Sequence, residues 1–242
     1  MNNYYKTYLE ETISEKTVKI SENFETVNIE SNILSEYLGL GFSSNITVNG
    51  NIQSISLYDF EGITEIKGDL ILRNNKKISS LGKDLISVNT LDLENSSIKD
   101  LGNLERAERW LILKNTLELK SLGSYLNYVG KLLILKNSLI SDFGTGLESL
   151  ESLNIENCIK LNNLGNLKFI GDNFLASGSA LKTLGNIEYL GNYSDFTGCL
   201  NLNDLGNLKA VSENAVIIFT GTQITYELIM DTCPQIIKYC IW

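Results

Sequence analysis

Asp92 and Glu94 stand two residues apart in a stretch that reads as a β-strand, so both carboxylates would project from the same outward face. Paired carboxylates are the minimum equipment for general acid and base catalysis. Nothing else of a catalytic centre accompanies them. The 242 residues include no histidine, which removes the commonest general base, the Ser-His and Cys-His dyads and most zinc sites. The four cysteines match no zinc spacing, and no glycine-rich run resembles a phosphate cradle. Solvated surface charge is the better account of the pair, and we expect a chain without enzymatic activity, metal or cofactor.

The other chemistry open to these residues is recognition, and locating it requires the elements that carry it. Leu-Gly or Phe-Gly pairs begin at residues 81, 101, 122, 143, 164, 184 and 205, spaced by 20, 21, 21, 21, 20 and 21, and Phe60 extends the series backwards by 21. A fixed period of this size is the signature of a solenoid, whose stacked units bury apolar faces that none could bury alone. After Leu101-Gly102 the apolar residues fall at Leu104, Ala107, Leu111 and Leu113, and the same offsets return as Ile63, Ile66, Leu70 and Leu72 after Phe60. The last two of each set are spaced as in a strand. Leu91/Leu93, Leu111/Leu113, Leu133/Leu135 and Leu153/Ile155 should therefore point inward from short parallel strands, softening later to Phe174/Ala176 and Ser194/Phe196.

Two corners can be read from residue type. Two positions beyond the inward pair stands Asn74, Asn95, Asn115, Asn137, Asn157, Gly178, Gly198 or Gly221. Asn and Gly share tolerance of the left-handed region, which predicts a positive φ here; a hydrogen-bonded asparagine ladder is the other reading and would have to stop at Gly178. At the second corner, Asn103, Asn166, Asn186, Asn207 or Gly62 is followed at once by an apolar residue. Where Lys83, Ser124 or Thr145 stands instead, one extra residue precedes Leu85, Leu126 or Leu147. A tight turn that needs Asn or Gly, or else a longer loop, fits these cases.

The coil from Phe60 to Leu81 resembles the receptor L-domain type of leucine-rich repeat, and Leu101-Gly-Asn-Leu is similar to the L-x-x-L-G-N-L coils of bacterial and large-phage repeat proteins. The resemblance covers about residues 55 to 225. It implies a right-handed coil with a parallel sheet on one face, in proteins that mostly bind ligands or other proteins. The receptor domains' disulfides are missing here. The fold class expected is a β-rich solenoid, leucine-rich-repeat or right-handed β-helix-like, with a parallel sheet built from 20–21-residue coils and partly helical caps.

We divide the chain into an N-terminal cap (1–26), the solenoid (27–225) and a C-terminal cap (226–242). Tyr5, Leu9 and Ile13, spaced by four, predict a short helix in the first segment, while Val27-Asn-Ile29 and Ile46-Thr-Val48 read as degenerate strands. The apolar tail from Tyr226 to Trp242 reads as a helical pair closing the last coil, or as a homo-oligomer contact. Cys158 and Cys199 share a corner two coils apart, about 10 Å at the spacing of neighbouring strands and too far to bond. With no signal peptide and no apolar run of membrane-spanning length, this predicts a reduced, cytoplasmic protein. A net charge of −9 disfavours nucleic acid and anionic membranes and permits a basic partner.

The outward strand face is where a function would have to live. Its central column reads Ile71, Asp92, Ile112, Ile134, Asn154, Leu175 and Asp195, a flanking column adds Trp110, Leu132 and Tyr193, and Lys114 and Lys136 border it. Trp110, Ile112, Leu132 and Ile134 on adjacent coils form an apolar patch where an exposed strand face should be polar. Either a cap, a loop or a second copy covers the patch, or it is a protein contact with Trp110 as anchor and the lysines as rim. The expected function is that of a non-enzymatic, intracellular protein-binding module acting through this face as an inhibitor or sequestering protein. The alternative is a binder of a nucleotide-like small molecule at the coil ends or an oligomer interface.

Overall fold

The computed structural model describes residues 8–12, 15–19, 26–28 and 46–242. It is a parallel β-solenoid of about ten coils. Each inward pair forms a column along the stack: Leu91, Leu111, Leu133, Leu153, Phe174 and Ser194 are successive partners in register. Leu91, Leu93, Leu111, Leu113, Leu133 and Leu135 are all fully buried. Each fully buried leucine contributes about 1.5–3 kcal/mol, so three or four in every coil hold the stack without long helices. Toward the C-terminal end aromatic rings take over, with Phe174 edge-on to Phe196 at 5.1 Å and Phe196 stacked on Phe219 at 5.4 Å.

A coil turns its flank by a bend between two strand segments. In one coil these are Tyr128–Val129 and Leu132–Ile134. The second segments stack in a 16-stranded sheet, and the first segments of the later coils, from Ser149–Leu150 to Ala210–Val211, form a separate 4-stranded sheet. Val129 and Leu133 both point inward across the bend, so the two segments share one core.

The first corner has the backbone its residue types demand. Asn74, Asn95, Asn115, Asn137 and Asn157 have φ of 57–59°, and Gly178, Gly198 and Gly221 have 69–75°. The asparagine ladder coexists with the turn: Asn95 Nδ2 donates to Asn74 Oδ1 at 2.7 Å, Asn137 to Asn115 at 3.1 Å and Asn157 to Asn137 at 3.0 Å. At the second corner the left-handed residue is the glycine of the Leu-Gly or Phe-Gly pair, not the residue after it, except in the Phe60 coil, where it is Gly62. Gly102, Gly165, Gly185 and Gly206 have φ of 54–59°. The asparagines act through their side chains, Asn103 Nδ2 reaching the Lys83 carbonyl at 2.9 Å and Asn166 that of Thr145 at 3.0 Å. A side chain on Gly102 would also collide with the Gly82 carbonyl oxygen, 1.8 Å from where its Cβ would stand.

Two side-chain ladders escape the reading by hydrophobic period. Thr116, Ser138, Cys158, Ser179 and Cys199 follow the left-handed residue and are buried. Thr116 Oγ1 donates to the Leu113 carbonyl at 2.7 Å, and Cys158 and Cys199 donate to the Leu135 and Ala176 carbonyls at 3.1 Å each. All four cysteines are free thiols, and burial raises the pKa of Cys158 and Cys199, so these two are inert rungs. The second ladder precedes the Leu-Gly pair. Ser80, Asp100, Ser121, Asp142, Asn163, Thr183 and Asp204 each accept the N–H of the glycine two residues on, at 2.8–3.1 Å.

The ends differ from each other. A helix at Tyr226–Thr232, capped by Thr225 Oγ1 accepting from Leu228 N, runs into a 3-10 turn at Pro234–Tyr239. Ile229, Cys233 and Ile236 bury against the last coil, and Cys240–Ile241 adds a parallel strand. The expected N-terminal helix is not what the structure shows. Tyr8–Thr12, which contains Leu9, and Glu15–Lys19 pair antiparallel, and the latter pairs parallel with Ile46–Asn49. Open backbone groups on the first coil favour a strand there over a helix, and Thr17 and Val18 suit one. Tyr5 and Ile13 lie outside the described residues. Thr26–Asn28 pairs with Asn51–Gln53, in line with the degenerate strands read from Val27 and Ile46.

Candidate functional site

The outward column falls in register as Ile71, Asp92, Ile112, Ile134, Asn154, Leu175 and Asp195, and the flanking column runs Trp110, Leu132, Ser152. The two columns divide into an ionic half and an apolar half. At the ionic end Asp92 is only 2% exposed, so the expectation of a solvated carboxylate needs correcting. Arg73, on the neighbouring coil, donates through Nε at 2.5 Å, and the backbone N–H of Glu94 adds a bond at 3.0 Å. Glu94 in turn meets Lys114 at 2.8 Å and Arg73 at 4.0 Å. The carboxylate pair is thus closed over by cations rather than directed into a cavity.

Next to it the face is open. Trp110, Leu132, Ile134, Asn154 and Leu175 line a shallow groove of about 390 Å³, with Lys131 and Glu151 paired at 3.3 Å along one side. Trp110 is 41% exposed and Leu132, Ile134 and Leu175 are half-buried. The Arg109 guanidinium packs against the Trp110 ring at 4.9 Å, which orients the indole. Ile112 adjoins the groove between Asp92 and Ile134. Ile71 and Tyr193 occupy the same sheet face but lie beyond the groove, Ile71 beside Asp92 and Tyr193 between Asn173 and Val216.

The two lysines at the border are engaged. Lys114 pairs with Glu94, and Lys136 with Glu156 at 3.0 Å. Burial, the largest single influence on Glu156, pushes its carboxyl up. The Lys136 and Asn154 hydrogen bonds together outweigh it and hold the group below its ordinary range. Both lysines therefore present a neutralised ion pair to an approaching partner.

A second set of exposed rings lies across the bend, on the first strand segments. Phe169 and Tyr189 stack at 4.7 Å with planes 8° apart, and Arg106 lies over Tyr128 at 4.2 Å. The signal that could have found them is in the sequence: Arg106, Tyr128, Ser149, Phe169 and Tyr189 each immediately precede an inward apolar residue. Among the described residues no group of His, Cys, Asp or Glu could hold a metal ion, and no helix is long and apolar enough to cross a membrane. Compared with known proteins, the chain matches no family model, no curated protein and no solved structure.

Proposed function

We propose that this solenoid is a protein-binding module whose site is the groove around Trp110, Leu132, Ile134 and Leu175. The observation that carries the reading is the apolar stretch itself: four large side chains left partly open within four successive coils, on a face whose preceding coils are closed by ion pairs. Interface cores combine an aromatic anchor with aliphatic neighbours and a polar rim, and Trp110 beside the Lys131–Glu151 pair has that composition. Four free thiols favour a reducing, intracellular setting. With its Leu-Gly period and its asparagine corner, kinship with leucine-rich repeats of the bacterial and phage kind belongs to the same proposal. Blocking or sequestering the partner is the mode that fits a bare recognition surface.

The test compares wild-type, Trp110→Ala and Ile134→Asp proteins as bait, with bound proteins identified by mass spectrometry and each bait's melting temperature recorded. A partner retained by the wild type and lost by both folded variants supports the reading. A partner held equally by all three refutes it.

A further inference from the structure

Arg106 and its neighbours make a small arrangement that the fold repeats imperfectly. The Arg106 guanidinium lies over the Tyr128 ring, its strand partner on the next coil, at 4.2 Å from the ring centre. Glu108, two residues further along, grips it through Nε–Oε1 at 2.8 Å and Nη2–Oε2 at 3.4 Å. Two coils later a ring and an acid recur without the cation. Ser149 stands where Arg106 stood, before inward Leu150 as Arg106 is before Ala107; Glu151 follows two residues on, set by the shorter bend in register with Lys131 and Arg109 rather than with Glu108. Phe169, the strand partner of Ser149, takes the place of Tyr128.

The missing side chain leaves a real space. Tyr128, Ser149, Leu150, Glu151, Phe169 and Asp172 are among the residues lining an open slot of about 490 Å³. Tyr189 stacks on Phe169 at 4.7 Å, so one face of that ring is covered and the slot lies on its other side. The bend of this coil is also one residue short, with two residues between Leu150 and Leu153 against three between Val129 and Leu133. Tyr128 and Phe169 are 39% and 43% exposed. Two coils place the walls about 9.6 Å apart at ordinary strand spacing, room for one planar group about 4.8 Å from each ring.

We infer that the Ser149 slot receives an arginine side chain of a partner protein, its guanidinium stacked on Phe169 as Arg106 is on Tyr128 and paired with the Glu151 carboxylate. Charge complementarity supports this occupant. The chain carries −9, and Asp172 in the slot's lining is hydrogen-bonded to the side-chain amides of Asn173 at 2.6 Å and Asn192 at 3.0 Å, with no cation on it among the described residues. Among the described residues the cation on Glu151 is the exposed Lys131 at 3.3 Å, and a planar bidentate fork competes well against a single ammonium. Glu151 also borders the Trp110 groove, so the slot adds an anchoring pocket to the proposed interface. The source of the arginine rests on that reading; the slot's chemistry does not.

The slot is tested with N-acetyl-arginine amide titrated into the whole chain, following the backbone amide resonances of Ser149, Leu150 and Gly171. The expected result is a saturable shift confined to the slot, with N-acetyl-lysine amide and the Glu151→Gln variant each about tenfold weaker. Ser149→Arg should supply the guanidinium from within, abolishing the shift while keeping or raising the melting temperature. Absence of a saturable wild-type shift, equal binding of the lysine derivative, or undiminished binding by Glu151→Gln or a folded Ser149→Arg would overturn the inference. A partner that depends on Trp110 but ignores Ser149→Arg would also overturn it, and would leave the sheet-face reading standing.

Discussion

Asp92 and Ile134 occupy the same outward column two strands apart, and the solenoid treats them in opposite ways. Around Asp92 the chain supplies its own partners: Arg73 and the Glu94 N–H saturate the carboxylate, and Lys114 closes over Glu94. Around Ile134 it supplies none, and Trp110, Leu132 and Leu175 are left half-open to solvent. A face can thus be structural in one half and available in the other although the strand register runs through both. The difference lies in whether a long cationic side chain from the neighbouring coil reaches across.

That contrast can be broken in order of expected effect. Leu111→Ala, inward beneath both halves, should cost about 2–5 kcal/mol, because neighbours fixed by the coil above and below cannot collapse into the cavity. Chemical denaturation measures it, and a loss below that of Asp92→Ala would contradict the inward register. Asp92→Ala should cost about 1–3 kcal/mol, since it removes a buried acceptor from Arg73 and from the Glu94 N–H. A neutral outcome would place Asp92 with the open half of the face.

Smaller effects sharpen the picture at the corners. Asn115→Val should cost about 1–2 kcal/mol through its positive φ, while Asn115→Gly should melt close to wild type apart from its ladder bond to Asn137. Equal melting temperatures for the two variants would deny the backbone role. Asp142 is held below the ordinary Asp value of 3.8 by the Ser121 hydroxyl first and the Gly144 N–H second, with burial opposing. A depressed carboxyl stabilises the fold above its unfolded pKa and loses that contribution as pH falls through the folded value. The melting-temperature difference between wild type and Asp142→Asn should therefore be constant from about pH 7 to 5 and shrink below about pH 4. A difference unchanged at low pH would show the carboxylate charge to be irrelevant.

How much of this is legible in sequence depends on how local the cause is. The inward columns follow from a two-residue spacing, and the left-handed corner from an Asn/Gly exchange, so both are read without knowing any partner. Asp92 is not, because its burial depends on Arg73, nineteen residues earlier and adjacent only once the coils stack. Lys114 and Lys136 look like a free rim for the same reason: Glu94 and Glu156 reach them across one coil. The N-terminal helix fails because a spacing of four in Tyr5, Leu9 and Ile13 says nothing of the open strand edge at Ile46–Asn49 that recruits Glu15–Lys19. The apolar patch is visible when the repeats are written over one another, whereas the Ser149 slot needs Tyr128 and Phe169 placed on the coils either side to be recognised as a space.

The most direct test of the central claim is a paired measurement on Trp110→Ala and Ile134→Asp, reading affinity for a partner captured by the wild-type chain and thermal stability of the free protein. Each variant should lose about 2 kcal/mol or more in binding, with the melting temperature nearly unchanged, because an exposed anchor matters to the complex and not to the fold. The column already carries aspartate at 92 and 195, so Asp at 134 is compatible with the backbone. Native affinity in both variants, or unfolding by Ile134→Asp, would contradict it.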